Sequence, residues 1–211
     1  QPGVTLETVF MRVLSVLVII LLVLPLHECA HAWVAYRMGD STAKNRGRLT
    51  LNPLPSIDPI GALCILLFGF GWAKPVPVDS RYFTKNAKAK MALTALAGPV
   101  SNLLAAFVGA LIFYLIAFLT GYSTSVIMSY VATFFLYYIT ININLAVFNL
   151  IPLPPLDGSR ILAAFLPDRM VYQYYRYQNI IMLAVFVLLF TGVLSRPLGW
   201  LTTQVYNGIM N

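Results

Sequence analysis

Long apolar stretches broken by short polar ones dominate the chain. Residues about 13–36, 91–119, 126–150 and 178–195 are each apolar over about 18 residues or more. A helix rising about 1.5 Å per residue needs that length to cross a hydrocarbon core of about 30 Å, so these runs predict four spanning helices. A fifth run, Pro59 to Ala73, has 15 residues and contains Gly61, Gly69 and Gly71. It is short for a span and predicts a re-entrant segment that enters the bilayer and turns back. Residues 45–52 and 71–83 read as extended. In Lys74-Pro75-Val76-Pro77-Val78 a proline at every second position excludes helix and favours an edge strand or polyproline geometry. No internal repeat or low-complexity tract is present.

Composition narrows the class. Of 211 residues, 59% are hydrophobic and 10% charged, with a mean hydropathy of +0.79. Soluble domains carry about 25% charged residues, so a cytosolic globule, a disordered chain and a nucleic-acid binder are all poor readings despite the net charge of +7. The expected fold class is an all-α polytopic membrane protein, multi-pass in the cell (plasma) membrane. Cys29 and Cys64 lie inside apolar runs and give neither a disulfide framework nor a thiolate cluster.

The basic residues decide whether the fifth run returns. If it does, Arg37, Lys44, Arg46, Arg48, Lys74, Arg81, Lys85, Lys88, Lys90, Arg160, Arg169 and Arg176 share one side, with Arg12 and Arg196 opposite, a split of 12 against 2. If it spans, the split is 9 against 5. The positive-inside bias selects the re-entrant arrangement, with both termini outside and the basic side cytoplasmic.

Both histidines of the chain, His27 and His31, fall in His27-Glu28-Cys29-Ala30-His31 at the end of the first apolar run. In a helix, positions i and i+4 lie one above the other, so both imidazoles can reach one Zn²⁺ while the adjacent Glu28 serves as general base. Ionisable groups at membrane depth are costly and rarely idle, which argues against a purely structural polar contact. Cys29 points elsewhere. A catalytic zinc takes three protein ligands and keeps an open position. With no third histidine, the remaining ligand is a carboxylate or a cysteine, the carboxylates being Glu7, Asp40, Asp58, Asp79, Asp157 and Asp168. On the re-entrant topology the run 126–150 delivers Asp157 to the depth of the histidines, making it the best third ligand. Asp157 also suits the N-cap of a short helix, and Asp58, the runner-up ligand, suits a turn before Pro59.

His27-Glu28-Cys29-Ala30-His31, Gly47 to Pro53 with Ile57 to Gly61, Gly71 to Val78, Gly98-Pro99-Val100-Ser101-Asn102, and Asn149 to Pro152 with Leu156-Asp157-Gly158 together resemble the site-2 protease family of intramembrane zinc metalloproteases. More narrowly, they resemble its compact prokaryotic branch without PDZ or CBS domains. The resemblance spans about residues 20–165, the site-bearing core of a single domain 1–211. It implies one Zn²⁺ per chain on His27, His31 and Asp157, with Glu28 as catalytic base. It further implies that Asn149 and Asn102 line the site as oxyanion or substrate contacts, although an interhelical hydrogen bond is an equal use of the Asn149 amide and the favoured use of the Asn102 amide. Gly98 would allow close helix approach. The re-entrant run and residues 72–83 would form a small membrane-embedded β element, whose edge pairs with an unwound substrate strand. Ser56 departs from the family, which would place a basic residue or histidine there.

The expected function is hydrolysis of a peptide bond in or near the transmembrane segment of a membrane-protein substrate, toward the cytoplasmic side. Its partners are that substrate, the lipid bilayer and an unidentified regulator, with no nucleic acid. The rival reading is a membrane metal transporter or scaffold. Transporters tend to show paired repeats, absent here, and transport needs no general base beside the first histidine.

Overall fold

The computed structural model describes residues 13–68 and 71–210. Glu7, Arg12 and Gly69 lie outside the described residues. Among the described residues three helices are long and apolar enough to cross a bilayer: α1 (Val13–Arg37), α4 (Ala87–Leu119) and α5 (Val126–Asn149). At most a third of the most apolar window of each is buried within the protein, so their remaining apolar surface faces outward, as a lipid-facing surface would.

In α1 the sequence sets both a bulge and a stop. Pro25 lacks an N–H for the carbonyl one turn back, and the helix absorbs this in a π-helical turn at Ile19–Val23, closed by the Leu24 N–H donating to the Ile19 carbonyl. At the far end Gly39 adopts φ +110°, and the Asp40 N–H donates back to the Ala35 carbonyl at 2.9 Å. Only glycine takes that φ without strain, so Gly39 stops α1 and turns Asp40 inward. There Asp40, fully buried, accepts from the backbone N–H of Thr42 (2.8 Å), which opens the short helix α2 (Thr42–Asn45), and from that of Asp79 (2.7 Å).

The glycine-rich run does turn back. Asp58 Oδ1 accepts from the Gly61 N–H at 2.8 Å and caps α3 (Pro59–Phe68). The returning chain then donates from the Lys74 N–H to the Ser56 carbonyl at 2.9 Å, so entry and exit lie side by side. A Cβ on Gly61 would sit 2.1 Å from the Trp72 carbonyl oxygen, and one on Gly71 would sit 2.1 Å from the Gly61 carbonyl oxygen. Gly61→Ala is therefore expected to destabilise the protein by about 1–3 kcal/mol, read as a lowered Tm in detergent. An unchanged Tm would contradict this packing.

The expected β element is not a strand. Among the described residues none lies in a strand, and residues 71–79 run extended between side-chain anchors. Val76 N–H donates to Glu28, Asp79 N–H to Asp40, and Arg48 Nη2 donates to the Lys74 carbonyl. Pro75 and Pro77 have no N–H to offer a ladder, so anchoring falls to side chains. Residues 45–52, also read as extended, hold the end of α2 and turns.

Helix α4 carries a stripe of buried small residues, Ala95, Gly98, Ala105, Ala106, Gly109 and Ala110, which lets α1 and α5 approach its backbone. Helices α6 (Asp157–Ala163) and α7 (Asp168–Arg176) follow α5. The fourth expected span, 178–195, is corrected to α8 (Gln178–Phe190), whose 13 residues make about 20 Å, too short to cross. The chain then forms α9 (Ser195–Met210) against α5 and α4. Thr202 donates to Asn144 Oδ1 at 2.7 Å and Tyr114 donates to the Met210 carbonyl at 2.7 Å, so α9 runs antiparallel to α5. That direction puts Arg196 at the same end of the bundle as the other described basic residues, not opposite them.

Candidate metal centre

One helical turn separates His27 from His31 on α1, and their rings meet edge to face with centroids 4.6 Å apart. Both are buried. Their Nε2 atoms stand 3.0 Å from each other, and each lies 3.2 Å from Asp157 Oδ2. The opposite nitrogens are committed elsewhere. His31 Nδ1 lies 2.7 Å from the Thr94 carbonyl, which can only accept, so Nδ1 carries the hydrogen. His27 Nδ1 lies 2.6 Å from Asn102 Oδ1 and donates to it. In the neutral rings both Nε2 atoms therefore present lone pairs toward a carboxylate oxygen, and Asp157 Oδ2 is buried with no hydrogen-bond donor of its own. Three acceptors this close repel unless a cation stands among them. The 3.0–3.2 Å separations approach the ~3.3 Å edge of a tetrahedron with metal–ligand bonds of ~2.0–2.1 Å, so the donor set fits a zinc-type ion.

Three elements hold this geometry. Asp157 is the first residue of α6, following the turn in which the Leu156 N–H donates to the Leu153 carbonyl at 2.9 Å. A Cβ on Gly158 would lie 2.4 Å from the carbonyl oxygens of both Leu150 and Ile151, so glycine lets α6 start against the end of α5 and turns Asp157 toward α1. The carboxylate faces the imidazoles and does not cap its helix, which answers the N-cap alternative. Burial by itself would raise its pKa, whereas the two imidazoles, when protonated, hold it below the usual carboxylate range. From α4, Gly98 leaves room for the rings: a Cβ there would come within 2.4 Å of His31 Nε2 and 2.5 Å of His27 Cε1. Its role is clearance for the imidazoles as well as helix approach. Glu28, beside His27 and buried, accepts the Val76 N–H on Oε2 at 2.9 Å. That bond ties the extended segment to the carboxylate and fixes the orientation of one of its oxygens.

The competing carboxylates are engaged elsewhere. Asp58 caps α3, Asp40 holds two backbone N–H groups, Asp79 pairs with Arg81 (2.6 Å) and Asp168 with Lys88 (2.6 Å). Among the described residues, His27, His31 and Asp157 form the one His/Cys/Asp/Glu group placed to hold a metal. Cys29 and Cys64 are free thiols outside it. Asn102 is fully buried, accepting from His27 and donating through Nδ2 to Asn142 Oδ1 at 2.9 Å. Asn149, on the last turn of α5, donates to the Leu145 carbonyl of its own helix at 3.0 Å. Two contributors, Thr94 and Asn142, are not singled out by the sequence pattern. Thr94 acts through its backbone carbonyl, which carries no sequence signal. Asn142 does carry one, as a polar residue in an apolar helix.

Residues 15–192 match the profile of peptidase family M50, and the chain belongs to that family of site-2 proteases. It is 48% identical over 145 residues to "Putative zinc metalloprotease YwhC" of Bacillus subtilis (strain 168), covering 67% of this chain and 64% of that protein. It is 33% identical over 192 residues to "Putative zinc metalloprotease Rip2" of Mycolicibacterium smegmatis (strain ATCC 700084 / mc(2)155), covering 88% of this chain and 69% of that protein. No solved structure matches the chain.

Proposed function

We propose that the protein is an intramembrane zinc metalloprotease that hydrolyses a peptide bond in or near the transmembrane segment of a membrane-protein substrate. The observation that carries this reading is the donor-free convergence of His27 Nε2, His31 Nε2 and Asp157 Oδ2 beside Glu28, between helices long and apolar enough to span a bilayer. Family membership and the names of the two relatives support the same chemistry. Zinc bound by the three side chains would supply Lewis acidity, making water nucleophilic near neutral pH and polarising the scissile carbonyl.

The remaining steps fall to the chain's own residues. Glu28, oriented by the Val76 N–H, takes the proton of the attacking water and delivers it to the leaving amine. Asn149 keeps a second amide hydrogen beyond the one on Leu145, and we assign that hydrogen to the oxyanion. Asn102, engaged at both ends, orients His27 instead. The non-helical backbone at 71–79 supplies the water path, because irregular backbone at membrane depth must be buried in protein or line a cavity. A substrate must arrive with its helix locally unwound. The apolar cavity of ≈ 320 Å³ between α1, α4 and α5, lined by Pro25, Leu26, Gly109 and Tyr138 among others, has the sequence neighbour of His27 in its wall and suits an apolar substrate side chain. The site-bearing end of the bundle collects the described basic residues, which by the positive-inside bias faces the cytoplasm.

Zinc content tests the metal reading against cation transport. Purified wild type is expected to hold one zinc per chain, and His31→Ala to fall at least ~10-fold below that by elemental analysis. Full zinc retention by His31→Ala, or rapid exchange of many cations, would overturn the assignment.

A further inference from the structure

A chain of hydrogen bonds with a fixed direction runs from α5 through α4 to the metal centre. Asn142 Nδ2 donates to the Tyr138 carbonyl (2.9 Å), Asn102 Nδ2 donates to Asn142 Oδ1 (2.9 Å), and His27 Nδ1 lies 2.6 Å from Asn102 Oδ1. Asn102 and Asn142 are fully buried, so water does not compete for these bonds. Two facing asparagines alone would be satisfied in either amide orientation. The Tyr138 backbone carbonyl removes that freedom, because a carbonyl only accepts. Its demand for a donor turns the Nδ2 of Asn142 toward it and the Oδ1 toward Asn102. Asn102 must then present Nδ2 to Asn142 and Oδ1 to His27, which leaves the hydrogen of His27 on Nδ1 and the lone pair on Nε2.

We propose that Asn142 is a positioning residue for His27: acting through Asn102, it selects the tautomer that exposes Nε2 to the metal position. The consequence for zinc rests on the proposed function above, whereas the tautomer is a property of the metal-free chain. His31 is a control within the same molecule, because the Thr94 carbonyl fixes its Nδ1–H independently of Asn142.

The experiment is two-bond ¹H–¹⁵N spectroscopy of the full chain, labelled with ¹⁵N-histidine, stripped of metal, in nanodiscs at about pH 8, where free imidazoles are neutral. With two histidines in the sequence, the spectrum holds two rings to assign. Wild type is expected to show Nδ1–H on both. In Asn142→Leu, His27 is expected to gain a substantial Nε2–H population while His31 stays Nδ1–H, and the zinc Kd to weaken by about 10–100-fold, as for other residues that orient a metal ligand. A His27 that stays wholly Nδ1–H in Asn142→Leu overturns the proposal and leaves Asn142 an interhelical tie. If Asn142→Leu disturbs both rings, the double variant Asn102→Asp, Asn142→Leu decides. A carboxylate at position 102 can only accept, so it should restore Nδ1–H on His27 without Asn142, and failure to restore it overturns the proposal. Normal tautomers in a protein that binds no zinc would instead count against the proposed function alone.

Discussion

Glu28→Gln is expected to lower the cleavage of a labelled transmembrane substrate by about 10²–10⁴-fold while leaving one zinc per chain. The magnitude is that of removing a general base. The replacement keeps the shape of the side chain and an oxygen to accept the Val76 N–H, so the anchor on the extended segment survives. It removes the basicity that the proposed proton transfer needs. His27, His31 and Asp157 are untouched, so metal content should hold. Substrate cleavage and zinc stoichiometry measured on the same preparation check both parts. Equal cleavage by variant and wild type would remove Glu28 from the mechanism, and loss of zinc would mean that it is instead needed to build the site.

Gly98→Ala is expected to lower zinc occupancy at least ~10-fold, and cleavage with it, in a protein that keeps its helical content. In an ordinary helix interior this change stabilises by about 0.5–1 kcal/mol, because glycine is the poorer helix former. Here the added methyl would lie 2.4–2.6 Å from His31 Nε2 and from His27 Cε1 and Nε2, contacts no carbon can make. The helix backbone cannot yield cheaply, so the imidazoles swing aside and the three ligand atoms no longer converge. The two readouts thus move apart, helix content by circular dichroism staying level or rising as zinc falls. Retention of one zinc per chain would show that the rings do not lie against α4 as described. The pair of variants also separates two kinds of damage: Glu28→Gln spares the metal and loses the proton transfer, whereas Gly98→Ala loses both.

Much of the centre is legible in the sequence. Histidines at i and i+4 in an apolar run share one face of a helix, because a period of 3.6 brings the two imidazoles together wherever that helix sits. The glycine-rich run is legible as a return because 15 residues with three glycines do not span, and the structure brings Lys74 back to Ser56. The expected strand fails for a physical reason. Alternating prolines keep a chain out of helix, but they also remove the N–H groups a ladder needs, and nothing in the alternation says that Glu28, Asp40 and Arg48 would hold the segment instead. The run 178–195 is apolar enough to span, yet the helix stops at Phe190, and the pairing of Thr202 with Asn144 sends the following helix back along α5.

The sequence by itself determined the kind of protein and its chemistry. Low charge with long apolar runs requires a bilayer or a buried core, and two histidines one turn apart with an adjacent carboxylate offer two metal ligands and a base, since these depend on composition and local periodicity alone. Only the tertiary structure shows that Asp157 lies beside the imidazoles, that Gly98 stands against the rings, and that a carbonyl on α5 is linked to His27 through two asparagines. Those facts depend on distances between helices more than 60 residues apart in the sequence for Gly98 and more than 100 for Tyr138 and Asp157. Such distances are set by how closely small residues let three helices pack, and no local pattern encodes that.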